Sequence, residues 1–232
     1  MPEIDPESPG QSLGERQRLE EEYTRLVEPE VSGFMQEVLR LAVVGTLSLV
    51  AAMGLWRALT ERVQARGGSQ ALTTRLEESD LPALATETAL YYSGVAVSQG
   101  LGPGATDHLV RSSLGMSGDP LPGFRPGALT AEDGSEHDWG SSARGSARDA
   151  ATEDHARDML DLLRAEGYTH KRWYNRHDHL VRPTHVEADR QTILLEESFI
   201  VGGVALRWPG DRLAGAPQET ARCRCVLAGV RW

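Results

Sequence analysis

Residues 117–147, SGDPLPGFRPGALTAEDGSEHDWGSSARGSA, show almost no apolar periodicity. A stretch this long, rich in Gly, Pro, Ser and acid, reads as a mobile linker or a long surface loop. It divides the chain into parts that fold by different rules. Before it, apolar residues recur at three- and four-residue intervals. Beyond residue 167 the pattern shortens to that of strands. The fold class this implies is α+β. A mostly helical region covers 13–116, and a small C-terminal α+β module with a short antiparallel sheet covers 148–232. Trp139 falls within the linker, where packing against its own domain is expected. Residues 1–12, polar with three Pro, read as a disordered tail.

In the helical part, Leu19, Tyr23, Leu26 and Val27 share one face of a helix over 13–28, which Pro29 is expected to stop. Ser32 can cap a second helix that reaches Arg66 before Gly67 and Gly68. Further helices are expected over 70–78, from a Ser79/Asp80 cap to about Ser98, at 106–114, and over 149–166, where Gly167 closes the last. The helix after Asp80 offers Leu81, Leu84, Tyr91 and Val95 as its apolar face, with Thr88 its one polar residue. Residues 41–56 form a sixteen-residue run without charge, between Arg40 and Arg57. A bilayer span needs about 17–25 apolar residues, and this run contains Gly45, Thr46, Ser48 and Gly54. Burial by neighbours or a partner is the favoured reading, and a membrane anchor is the alternative.

The net charge of −10 argues against the whole chain coating nucleic acid. It is unevenly spread: residues 168–232 carry ten Lys/Arg against seven Asp/Glu, and residues 1–167 carry fourteen against twenty-seven. Lys171 is the single lysine among 24 basic residues, a bias that coding composition explains more simply than phosphate binding. The two Cys, two positions apart, exclude a disulfide framework and fit a reducing compartment. The start MPEIDPESPG has no secretory pattern.

Chemistry-bearing residues concentrate in 171–225. Strands are expected at 171–174, at 192–195 paired with 198–208, and at 224–230. His177, Asp178, His179, His185, Cys223 and Cys225 are ligand types, and a strand through Cys223-Arg224-Cys225 would turn both sulfurs to one face. The stronger signal, two separated CxxC pairs, is missing. The expectation is therefore no cofactor, with a structural zinc at His185, Cys223 and Cys225 as the alternative. Asp178, His185, Asp189 and Ser198 can be drawn as a triad, yet no GxSxG frames a serine. His185 and Asp189, at i and i+4, would meet on a helix face for a hydrogen bond as readily as for catalysis. Glu196 and Glu197 fit a turn. Arg172, Arg176, Arg222 and Arg231, with Trp173, Tyr174 and Trp232 nearby in sequence, could touch DNA without reading its sequence. Gly202, Gly203 and Gly210 lack the Lys-Ser/Thr of a phosphate loop.

Taken in order, Lys171-Arg172-Trp173, Asp178, Arg182-Pro183-Thr184-His185, Asp189, Phe199 with Gly202 and Gly203, Pro209-Gly210-Asp211 and Cys223-Arg224-Cys225 resemble the phage Mu F-like minor head proteins, also called phage head morphogenesis proteins. The resemblance covers about 55 residues. Two positions depart from it: Arg190 stands where the family has Gly, and Arg222 where it has Asn. The resemblance implies a non-enzymatic virion component, made in the host cytoplasm and placed inside the capsid near the portal. Its partners would be the portal protein, a major capsid or scaffold protein and, non-specifically, packaged DNA, with no membrane. Two other classes stay open: a metal-dependent hydrolase, nuclease or toxin-like effector, and a membrane-associated phage protein held by 41–56.

Overall fold

The computed structural model describes residues 5–114, 116 and 139–231, with the backbone alone over 139–143. The fold is α+β: a helical N-terminal part and a short antiparallel sheet in the C-terminal part. Its elements group into two compact units. One comprises Met1–Arg25, Ser69–Leu72 and Gly145–Trp232; the other comprises Leu26–Gly68 and Thr73–Arg144. The expected division into 13–116 and 148–232 is thus corrected, because residues 5–25 group with the C-terminal module.

Helix α1 spans Pro9–Val43 and opens where the Ser8 hydroxyl accepts the Gln11 N–H at 3.4 Å. Pro29 lies inside it and does not end it. Proline removes one backbone donor and costs about 3 kcal/mol in a helix interior. Here Pro29 is exposed, while Val27, Val31, Phe34, Val38 and Leu39 are buried on the apolar stripe. Continuing that stripe outweighs one lost hydrogen bond.

The second predicted helix is also corrected, since it breaks in the middle of the uncharged run. Gly45 takes φ 73°, the Gly45 N–H bonds Ala42 O at 3.1 Å, and the Thr46 N–H bonds Leu41 O at 2.9 Å. This is a left-handed helix stop of the kind glycine permits. Ser48 then caps α2, Leu49–Ala65, by accepting the Ala51 N–H at 3.2 Å. No helix among the described residues is long and apolar enough to cross a membrane. Helices α3 (Gln70–Glu77), α4 (Leu81–Ser98) and α5 (Pro103–Ser113) follow. On α4 the buried face is Leu81, Ala85, Thr88, Ala89, Tyr92 and Ala96, and Tyr91 is 66% exposed. The small alanines form the packing stripe, which moves Leu84 and Val95 to its flank. Within the helical unit the Trp56 indole donates to Leu76 O at 2.7 Å and meets Phe34 edge-on, centroids 5.0 Å apart.

Helix α6, Trp139–Ala165, begins inside the predicted linker. Of that segment, 117–138 lies outside the described residues, and 139–147 is helical rather than irregular. Ala147, Ala150 and Ala151 are buried, so small residues that look like loop composition serve as a packed helix face. The predicted disordered tail is likewise corrected from residue 5 onward: Pro6 O accepts the Gly229 N–H at 2.7 Å, and Ser12 is fully buried.

Strand β1, His170–Tyr174, lies between β2 (Thr192–Leu194) and β5 (Val226–Val230) in an antiparallel order β2-β1-β5. Its register sets His170 opposite Leu194 and Trp173 opposite Leu227. The expected pairing of 192–195 with 198–208 does not occur. Residues 199–206 instead close on themselves as a hairpin of β3 (Phe199–Val201) and β4 (Val204–Leu206). Gly202 and Gly203, at φ 56° and 81°, form its two-residue turn, in which both residues need positive φ. Helix α7 (Pro183–Glu187), a 3-10 turn at Arg212–Ala214 and α8 (Pro217–Thr220) complete the unit. Met159, Leu160, Leu163, Tyr168, Leu195 and Leu227 make one apolar cluster, and Trp173, Phe199, Val201, Leu206, Cys223 and Cys225 make another.

Candidate metal centre

Three ligand-type side chains from two short segments converge beside the second cluster. Pro183 at the first turn of α7 presets its backbone for helix and needs no N–H there. That turn carries His185 inward, where it is 2% exposed. The other segment, 221–225, is held from outside. The Asp149 carboxylate accepts the Arg222 N–H, the Thr152 hydroxyl donates to Cys223 O at 2.7 Å, and the Arg182 guanidinium donates to Ala221 O. Cys223 and Cys225 precede β5 rather than lying in it, which corrects the expected strand through them. A turn at Arg222, φ 55°, rather than strand alternation, brings both sulfurs to His185.

His185 Nδ1 lies 3.3 Å from Cys225 Sγ and 3.8 Å from Cys223 Sγ, and the three ligand atoms all fall within 4.8 Å of one another. Both cysteines are free thiols. Hydrogen bonding from Cys225 and His185 holds the Cys223 thiol well below its ordinary range despite burial. Cys225 is pushed up by its bond to Cys223 and by burial. Burial pulls His185 down, but hydrogen bonding to Cys223 prevails and raises it. The trio can hold a metal ion once both thiols lose their protons.

The other ring nitrogen, Nε2, sits 3.2 Å from Glu219 Oε2, close enough for an ion pair but without the alignment of a full hydrogen bond. The Thr184 hydroxyl donates to the same oxygen at 2.8 Å. Glu219 carries no motif in the sequence, and only the fold brings it to the histidine and to the neighbouring Thr184.

The remaining motif residues are engaged in structure. Lys171 is buried and donates to Arg207 O at 2.8 Å, and burial lowers its pKa to about 8. Trp173 stacks edge-on against both His185 and Phe199, at 5.6 and 5.2 Å. Asp178 accepts both Arg224 guanidinium nitrogens at 2.7 Å, which lowers its pKa to about 2. Asp211 accepts the Arg207 side chain at 2.7 and 2.8 Å. Pro209 and Gly210 are buried in the turn before it. Asp189 does not meet His185 on a helix face, because α7 ends at Glu187; it accepts the Asn175 N–H at 2.9 Å. His177 lies 3.6 Å from Asp189, and His179 is exposed and outside the cluster.

The arginines proposed for DNA do not share one use. Arg172 bonds the Thr192 hydroxyl at 2.6 Å, Arg231 lies over the Tyr168 ring and pairs with Glu7, and Arg222 is exposed. Arg176 joins Arg25, Arg148 and Arg224 in lining a cavity of about 520 Å³ that Glu20 and Glu21 also border.

One buried pair looks catalytic and was not apparent in the sequence: Ser12 Oγ lies 2.7 Å from His155 Nε2. The serine proton goes to Leu227 O at 3.2 Å, so the imidazole is the donor to the hydroxyl and no base faces it. Burial lowers the His155 pKa to about 4 and keeps it neutral. The pair ties α1, α6 and β5 together.

Comparison of the chain with family models, curated proteins and solved structures finds no match.

Proposed function

We propose that the chain is a structural minor head protein of a tailed phage or prophage, one that acts in head assembly and DNA packaging without catalysing a reaction. The observation that carries this reading is conformational. Among the described residues, three non-glycine residues have positive φ, and two of them are Arg190 (63°) and Arg222 (55°). Those are the two positions where this sequence departs from the Gly and Asn of the Mu F-like pattern, and Gly and Asn are the residues that adopt positive φ most easily. Positive φ at both positions is what a backbone suited to Gly and Asn would have, and this supports the resemblance. The engagement of Lys171, Asp178, Asp211 and Phe199 in packing and ion pairs supports the same reading.

On this view the helical unit docks on the portal or a scaffold protein. Val44, Leu49, Val50 and Met53, on both sides of the Gly45 break, are 47–83% exposed, which is unusual for large apolar side chains so close in sequence. The cavity bordered by Arg25, Arg148, Arg176 and Arg224 is the side suited to packaged DNA. The test is a prophage carrying Val50→Asp with Met53→Asp. Because both side chains face solvent, the isolated protein should melt within a degree or two of wild type while its incorporation into purified heads falls several-fold. Heads that form and fill normally in a strain lacking the whole chain would overturn the assembly role.

A further inference from the structure

The geometry points to a zinc site formed by His185, Cys223 and Cys225, with Glu219 holding the histidine and the fourth position left to a water or a small anion. A tetrahedral zinc, with Zn–S about 2.3 Å and Zn–N about 2.0–2.1 Å, sets sulfur and nitrogen about 3.5 Å apart. The observed separations of 3.3 and 3.8 Å bracket that value. Two thiols and an imidazole are a soft donor set, which selects zinc over magnesium or calcium.

Two further observations point to a ligand rather than to a packed core. The imidazole presents Nδ1 to both sulfurs and Nε2 to a carboxylate that is itself held by Thr184. With an ion on Nδ1, the proton of Nε2 would face that acid at 3.2 Å, and a small rotation of the ring would complete the carboxylate–histidine–metal arrangement, in which the outer acid fixes the tautomer. A cavity of about 20 Å³ also lies against His185, Cys223 and Cys225, which is room for a single water. Arg176, Arg182, Arg222 and Arg224 line it as well. Two thiolates and Zn²⁺ sum to no charge, so these guanidiniums favour an anionic occupant such as hydroxide or chloride at the fourth position. The clamps on 221–225 come from Asp149, Thr152 and Arg182 rather than from the thiols, so the ligands stand in place before an ion arrives.

The experiment is a Co²⁺ titration of the reduced full-length protein, followed by displacement with Zn²⁺. We expect one equivalent of cobalt, with thiolate-to-cobalt charge-transfer bands and a tetrahedral ligand-field spectrum that zinc abolishes. Cys223→Ser and Cys225→Ser should each lose those bands. Glu219→Gln should keep them and weaken affinity about 10–100-fold. Thiol alkylation of the wild-type protein, which depends on no variant folding, should slow at least tenfold when zinc is added. An octahedral cobalt spectrum without charge transfer, or alkylation unchanged by zinc, would overturn the site. Undiminished affinity in Glu219→Gln would overturn the role of the carboxylate.

Discussion

In the helical unit, several buried threonines bond within their own helix. Thr60, Thr86, Thr88 and Thr106 each return the hydroxyl to the carbonyl four residues earlier, and the Trp56 indole reaches Leu76 O. The unit with the sheet has a different interior. Arg16, Asp149, Glu153, His155, Lys171, His185, Asp211 and Glu219 are all buried in it; Asp149, His155, Lys171 and the His185–Glu219 pair meet partners from distant parts of the chain, while Arg16 and Asp211 also pair four residues away. An apolar helix bundle gains its stability from area removed from water, which does not depend on pH. A buried polar network must be fully paired to be tolerated, and in return it specifies one arrangement.

The largest test of this contrast is a matched pair of truncations. Trp56→Ala and Trp173→Ala should each cost about 3–5 kcal/mol, read as lost hydrogen-exchange protection over the peptides of the affected unit. The Trp56 loss should be equal at pH 5 and pH 8. A Trp56 loss that varied with pH would break the contrast.

Next in size is the acid limb of the unit that holds the sheet. His155 has a folded pKa of about 4 against 6.5 unfolded, so between those values the unfolded state binds the extra proton. Stability from this group is therefore complete above pH 6.5 and is lost as pH falls towards 4, by on the order of 3 kcal/mol. His155→Gln should flatten urea midpoints across that window. An unchanged slope would show that other groups carry it. Asp178 acts lower: its pKa of about 2 means the Arg224 pair persists until well below pH 4.

The smallest effect is a local one. Ser48→Ala removes the cap of α2 and should cost about 1 kcal/mol, seen as faster exchange in the first turn after the Gly45 break. No change there would mean that burial of Leu47 and Ala52, rather than the cap, fixes the start of α2.

Much of the fold was legible in the sequence. Helices at 70–78 and 81–98, the β1 strand and the class α+β follow from periodicity and from Gly and Pro punctuation, which are local. The errors share a cause. Pro29 and Ser32 promised a helix boundary and Gly45 a continuous helix, and the reverse holds. Apolar burial on either side of Pro29 outweighs its local cost, while Gly45 makes a stop available that the uncharged run conceals. The stretch from 139 to 147 looked like linker because alanine and glycine are small, and a close helix contact needs small residues.

The candidate site divides in the same way. Which residues could serve as ligands is readable from the chain alone: His185, Cys223 and Cys225 are visible as types, and their neighbourhood in a resembling pattern marks them. Long-range packing sets His177, His179 and Asp189 aside, brings Glu219 to the histidine, and turns one imidazole towards two sulfurs. Ligand identity is written residue by residue, whereas convergence depends on backbone turns such as the positive φ of Arg222 and on clamps from α6. Those are long-range contacts, and no local spacing encodes them.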